Sequence, residues 1–228
     1  MRAIAFVFAR GGSKGLPGKN LLPLGGVPLV ERAVRAGLDC PSIDAVMVST
    51  DDPAIARVAE EAGAAVPFTR PPELSGDTAP EWLAWQHAIR YLDLTGSTPD
   101  LMVVLPATAP LRAVEDVEAT IEAASAPDVD LALTVFESAR SPYFNMVTMD
   151  ERGRVSRLLG GGPAPFRRQD ALPVFEITPV AYVARPAYVR LADSMFEGRI
   201  VGVPVPVERA VDIDSQLDLN WAEHLLCQ

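Results

Sequence analysis

Four short apolar runs, AIAFVF (3–8), DAVMVST (44–50), AVPF (65–68) and LMVVL (101–105), alternate with segments of helical period. Runs this short and this apolar read as strands buried on both faces. Between them, Val30, Val34 and Leu38 fall four apart within 28–39, and 52–63 and 80–93 share that helical character. Strand, helix, strand in this order demands crossover connections, so the expected fold is α/β, with a three-layer, mostly parallel sheet. A further helix is predicted over 114–124, where Val114, Val117, Ile121 and Ala124 share one face. From about 131 the pattern breaks into strand-like pieces separated by turn residues, with GGGPAP at 160–165 as a loop. We read 131–180 as a small antiparallel excursion, a lid or dimerisation element, within one domain spanning 1–228.

The first run leads straight into ARGGSKGLPGKN (9–20), which packs four glycines and three cations into twelve residues. Lys14 and Lys19 are the only two lysines among the 20 Lys and Arg of the chain, and both lie in this loop. In an open parallel sheet, ligands bind at the carboxyl ends of strands, where glycines let backbone N–H groups approach a phosphate. Gly11, Gly12 and Gly15 suit that role, and Arg10, Lys14 and Lys19 would balance a polyphosphate. The loop is not a Walker A motif, because five residues separate Gly12 from Gly18 and Asn20 follows Lys19. It also lacks the G-x-G-x-x-G dinucleotide fingerprint.

The formal net charge of −10 excludes the broad basic face that nucleic acid or an anionic membrane requires. The charge is uneven, however. The first acid in the chain is Glu31, so an anionic ligand would be drawn to the N-terminal segment. No apolar run approaches the length of a membrane span. The two cysteines, Cys40 and Cys227, read as reduced thiols, and a cytoplasmic protein is expected.

Near the end, VDID (211–214) sets Asp212 and Asp214 two apart, so that on an extended strand both carboxylates face the same way. Such a pair suits a hard cation such as Mg²⁺, which shares its shell with substrate phosphates. A helix N-cap at Asp214 is the alternative, and spacing alone leaves the two level. Asp218 reads as helix surface. Of the histidines, His87 and His224 both read as structural.

The loop resembles the signature of the sugar nucleotidyltransferases, and most closely that of the acylneuraminate cytidylyltransferases, with Phe8 where that family has proline. The similarity recurs in order at FTRPPELSGDTA (68–79), PLR (110–112), RRQD (167–170) and VDIDSQLD (211–218). It implies a Rossmann-like nucleotidyltransferase fold, a homodimer, and CTP-dependent transfer to an acidic acceptor with Mg²⁺ on Asp212 and Asp214. By the same resemblance, Arg10 and Lys19 join those two aspartates as catalytic residues. The nucleotide would be held by Ala9, Gly11, Gly12, Ser13, Lys14, Asn20, Arg70 and Ala79, and the acceptor by Arg112, Arg167, Arg168, Gln169 and Tyr182.

Two departures fall at the acceptor end. LPATAPLR (105–112) has Pro106 and Ala107 where the family has Gln-Pro, and FEITPVAYV (175–183) has Thr178, Pro179 and Val180 where it has an Asn-Gly-Ala run. Proline brings neither a backbone donor nor a polar side chain for holding a polyhydroxylated sugar. A 3-deoxy-2-keto sugar acid of the sialic type is the expected acceptor, with a small phosphonate or a non-catalytic nucleotide-binding role as alternatives. No side-chain general base stands out.

Overall fold

The computed structural model describes residues 1–159, 167 and 172–228. Strand β1 (Ala3–Phe8) sets the layers by its alternation, with Ala3, Ala5 and Val7 in one core and Ile4 and Phe6 in the other. After the glycine-rich loop, a small ribbon of β2 (Pro23–Leu24) and β3 (Val27–Pro28) leads into α1 (Leu29–Leu38), β4 (Ala45–Ser49) and α2 (Pro53–Glu61). Next come α3 (Glu81–Leu94), β5 (Leu101–Val104), α4 (Val114–Ser125) and β6 (Leu131–Glu137). A hairpin of β7 (Val147–Met149) and β8 (Val155–Arg157) precedes β9 (Phe175–Ala184), α5 (Pro186–Leu191), β10 (Ile200–Pro204) and α6 (Gln216–Leu226).

The central sheet runs β10-β6-β9-β5-β1-β4, and β9 alone is antiparallel to its neighbours. Helices α1, α2, α4 and α6 bury Val34, Ile55, Val117 and Leu219 against one face. On the other face α3 lays down Trp82, Trp85, Ile89 and Leu92, with Val189 of α5 beside them. Each side thus buries a continuous apolar layer, which is what drives a three-layer fold together. From β1 the chain crosses to β4 on one side and then to β5 on the other. The carboxyl ends of these strands therefore flank a switch point, where α/β sheets form their ligand crevice.

Two expectations shift. AVPF (65–68) forms only isolated bridges, Met47 with Ala65 and Thr50 with Thr69, because Pro67 has no N–H to extend a ladder. The stretch 131–180 is not antiparallel throughout. Its flanks β6 and β9 belong to the central sheet, and β6 is parallel to its partner β10. Among the described residues, the part outside the sheet narrows to the β7–β8 hairpin and the segments beside it. Pro179 lies inside the interior strand β9, where a missing N–H should be disruptive. The register of β6 against β9 slips between Leu133 and Val135, and the buried Thr134 hydroxyl fills the gap. That hydroxyl donates to the carbonyls of Thr178 (2.8 Å) and Ala181 (3.2 Å), and it accepts from the Ala181 N–H at 3.1 Å.

No helix among the described residues is long and apolar enough to cross a membrane. Cys40 is buried and Cys227 exposed, both as free thiols. His87 packs edge-on to Phe68 and His224 stacks on Trp221.

Candidate active site

The loop after β1 is held open from below. Gly11 donates its N–H to Asp51 Oδ1 at 3.0 Å, and the buried Asn20 amide donates to the Arg10 carbonyl at 2.9 Å. Two glycines are required by close approach. A Cβ on Gly11 would meet Asp52 Oδ2 at 2.7 Å, and one on Gly15 would meet the Asp214 carbonyl oxygen at 2.7 Å. Asp52 cannot yield easily, since it caps α2 through the N–H groups of Ala54 and Ile55.

Above the loop lies a cleft of about 440 Å³. Arg10, Ser13, Lys14, Gly15, Lys19 and Asn20 line it from the loop, with Phe8 at the end of β1. Arg70, Leu74, Gly76, Asp77, Ala79 and Glu81 line the facing side, and Thr108 and Asp214 complete it. The three loop cations thus converge on one space, as a polyphosphate site requires.

Carboxylates answer those cations. Asp77 pairs with Arg10 Nη1 at 2.9 Å and with Lys14 Nζ at 2.7 Å, which holds its carboxyl below the usual range, the Lys14 contact contributing most. Lys19 Nζ reaches Asp214 Oδ1 at 2.8 Å. Asp212 lies beside Thr108, whose side chain hydrogen-bonds it. Asp212 is exposed as a residue, yet its carboxyl is crowded by protein, so burial raises its pKa above the usual value, the Thr108 bond opposes that, and the like charge of Asp214 adds to it. A backbone bond from the Ile213 N–H to the Thr108 carbonyl at 2.8 Å pins this segment to the loop after β5.

Asp214 does not cap the final helix. Ser215 is the N-cap of α6, and the Asp218 carboxylate accepts from the Ser215 N–H at 2.7 Å and the Asp214 N–H at 3.1 Å. Asp218 is therefore part of a capping box rather than plain helix surface. This frees the Asp214 carboxylate for the cleft.

Arg70 is buried with its Nε donating to Ser49 Oγ at 3.1 Å and its Nη2 to the Ser49 carbonyl. Its guanidinium sits 5.5 Å from the Phe8 ring centre, so it is a rigid cation on the wall of the cleft. Ala79 lines the same wall, with its N–H on the Gly76 carbonyl at 3.2 Å. Ala9 is buried beneath the loop, with its N–H on the Ser49 carbonyl at 3.1 Å, and Gly12 is exposed.

The acceptor set is less concentrated. Tyr182 on β9 packs its ring 5.7 Å from Trp85, and burial raises its pKa, with Glu81 and Asp212 adding to the effect. Arg112 does not line the cleft. Buried below it, the guanidinium donates through Nη2 to the carbonyls of Pro106 and, at 3.2 Å, Pro179. Burial lowers its pKa to about 9. The two prolines that mark the acceptor end in the sequence are thus tied together by one arginine. Arg167 is exposed, and Arg168 and Gln169 lie outside the described residues.

Asp77, Glu81 and Thr108 were missed by sequence reasoning. Asp77 and Glu81 are acids close to a helix start, where acids are common for dipole reasons alone, so neither carried a signal.

A cation-lined cleft at the carboxyl ends of a parallel sheet, closed by paired carboxylates from the far end of the chain, defines a nucleotidyltransferase. A cytidylyltransferase family model matches residues 4–182, and the chain belongs to that family. It is 27% identical over 223 residues to the post-translational flagellin modification protein B of Campylobacter coli, covering 96% of this chain and 93% of that one. Against the CMP-N,N'-diacetyllegionaminic acid synthase of Campylobacter jejuni the identity is 29%, with coverage of 96% and 93%. The N-acylneuraminate cytidylyltransferase of Streptococcus agalactiae is 28% identical over 96% of this chain, which spans about half (52%) of that relative's length. Among solved structures, a CMP:2-keto-3-deoxy-manno-octonic acid synthetase complexed with CTP superposes with a TM-score of 0.70 at 20% identity, covering 100% of this chain and 99% of that one.

Proposed function

We propose that this enzyme transfers the cytidylyl group of CTP to a 3-deoxy-2-keto sugar acid, releasing pyrophosphate. The observation that carries the reading is the convergence of Arg10, Lys14 and Lys19 on one cleft with Asp212 and Asp214 at its edge. Relatives named for sialic-type and legionaminic acids point to the same acceptor class.

Transfer of this kind asks a protein mainly for positioning and charge neutralisation. Arg10 and Lys14 neutralise the β- and γ-phosphates, and Lys19 draws charge from the α-phosphate as it is attacked. Ser13 and Gly12 donate hydrogen bonds along the chain of phosphates. Arg70 and Ala79 face the base.

The donor set at the edge of the cleft fits Mg²⁺ in a shared mode. Among the described residues no group of three His, Cys, Asp or Glu could enclose a metal alone, whereas Asp212 and Asp214 offer the one or two carboxylates that Mg²⁺ takes alongside phosphate oxygens and water. Mg²⁺ held there would supply Lewis-acid neutralisation of the developing phosphate charge. The like-charge repulsion of the two aspartates, part of what raises the Asp212 pKa, is the strain a cation relieves.

We place the protein in the cytoplasm, where CTP is made, and read it as a homodimer. The β7–β8 hairpin exposes Val147, Met149 and Val155, a face that a second copy would cover. A small phosphonate is the second acceptor reading, favoured by Pro106 and Pro179, whose carbonyls are taken up by Arg112.

The deciding experiment is pyrophosphate release from CTP and Mg²⁺ across sialic-type acids, ketodeoxyoctonate-type acids and small phosphonates. Release with the keto sugar acids is expected. Release with phosphonates alone would replace the reading, and no release with any acceptor would overturn it.

A further inference from the structure

Three carboxylates line the cleft, those of Asp77, Glu81 and Asp214. Two are committed to loop cations, Asp77 to Arg10 and Lys14, and Asp214 to Lys19. Among the described residues Glu81 forms no ion pair, and the one hydrogen bond its carboxylate accepts comes from the Trp85 indole at 3.2 Å. An uncommitted carboxylate is an odd thing to keep in a site built for a triphosphate, because it repels the ligand. Its presence needs a chemical reason.

We propose that Glu81 is the general base of the reaction, taking the proton from the acceptor hydroxyl as that oxygen attacks the α-phosphorus of CTP. This rests on the cytidylyl-transfer reading given above. A new bond forms between the acceptor oxygen and the α-phosphorus, and the bond from that phosphorus to the oxygen bridging to the β-phosphate breaks. Pyrophosphate leaves with the electron pair, and the proton passes to Glu81 and then to water.

The surroundings of Glu81 suit that task. It begins α3, whose N-terminus favours a charged carboxylate, and the Trp85 N–H fixes one oxygen from a turn further on. Burial pushes its pKa up, the Trp85 bond and Arg70 pull it down, and Asp212 pushes it up again. Facing it are Arg70 from the segment after β4, Tyr182 from β9 and Asp212 from the segment after β10. A carboxylate that lines the cleft, forms no ion pair among the described residues and has one oxygen fixed by the Trp85 N–H is placed to accept a proton.

The assignment also speaks to acceptor class. The 2-hydroxyl of a keto sugar acid in its ring form carries a proton that must leave, whereas a phosphonate oxygen is already ionised. Glu81 would idle with a phosphonate and repel it. The proposal therefore selects acceptors that attack through a hydroxyl.

The test uses the full chain with CTP, Mg²⁺ and whichever 3-deoxy-2-keto acid the wild type turns over. Glu81→Gln is expected to lower kcat by at least about a hundredfold while CTP affinity, read by calorimetry, stays within about twofold. The acidic limb of the kcat pH profile should vanish in that variant, and added formate should restore part of the turnover of Glu81→Ala. A merely structural role would move neither readout. Glu81→Gln turning over within about threefold of the wild type would overturn the assignment, as would a defect carried wholly by lost CTP affinity. A wild type inactive on every such acid would instead overturn the keto-acid acceptor reading, and the base role with it.

Discussion

Lys19 and Asp214, separated by 195 positions in the chain, meet at 2.8 Å across the mouth of the cleft. The contact is asymmetric. Only 13% of the lysine side chain is exposed against 75% of the aspartate, so the cation is held among its surroundings while the paired carboxylate faces solvent. One residue comes from the glycine-rich loop after β1 and the other from the carboxylate pair near the C-terminus, and their meeting joins the two ends of the sequence at one cleft.

Replacing Lys19 with Ala removes the least exposed of the three loop cations from this site. A charge-assisted contact to phosphate is worth roughly 1.5–3 kcal/mol, which corresponds to at least a tenfold loss. We expect kcat/KM for CTP to fall by that factor or more in steady-state pyrophosphate release. Unchanged turnover would take Lys19 out of the reaction.

Asp212→Asn keeps the shape of the side chain and the reach to Thr108 but removes the charge. Mg²⁺-dependent turnover should be lost, and a Mg²⁺ titration of the residual rate should no longer saturate in the wild-type range. A variant with a normal titration would exclude Asp212 from the metal site.

Arg112 makes a different kind of contribution, because its guanidinium ties two backbone carbonyls below the cleft instead of lining it. Arg112→Ala should destabilise the fold by roughly 1–3 kcal/mol per carbonyl left unpaired. The drop is to be read from the urea midpoint at constant slope. If Pro106 and Pro179 frame the acceptor end, as the sequence reading has them, acceptor KM should rise with it while CTP affinity holds.

The sheet was legible because β1, β4 and β5 are short, apolar and separated by segments of helical period, and that pattern has few structural solutions. That the loop after β1 lines the cleft was legible, because clustered lysines and glycines after a first strand mark the place where such a sheet opens to a ligand. Pro179 was not, since a proline argues against an interior strand and only the Thr134 hydroxyl, brought in by a register slip, makes it tolerable. Arg112 looked like a ligand because the motif around it ends a strand at the site, but nothing in a linear pattern says on which side of the backbone a guanidinium lies. Glu81 was invisible for a related reason. Its lack of an ion partner among the described residues is a property of the assembled cleft, and a sequence does not show which acids are already spoken for.

Acid stability offers a check away from the site. Arg190 on α5 grips Asp93 on α3 through both carboxylate oxygens, at 2.7 and 2.6 Å, and Thr98 adds a further bond. The Arg190 contact is the main cause of an Asp93 pKa lowered from 3.8 to about 2. A carboxyl whose pKa is lower in the folded chain stabilises the fold above its unfolded value and loses that contribution as pH falls through the folded one. The contribution of the pair is therefore whole above about pH 4 and fades toward pH 2. Both partners are partly exposed, so the effect is modest and falls with added salt. Arg190→Met should lower the urea midpoint at pH 7 by a small but measurable amount, and the gap between variant and wild type should narrow as both are taken into that acid window. A gap that stayed constant with pH would show that Arg190 acts by packing α5 onto α3, with its charge contributing nothing.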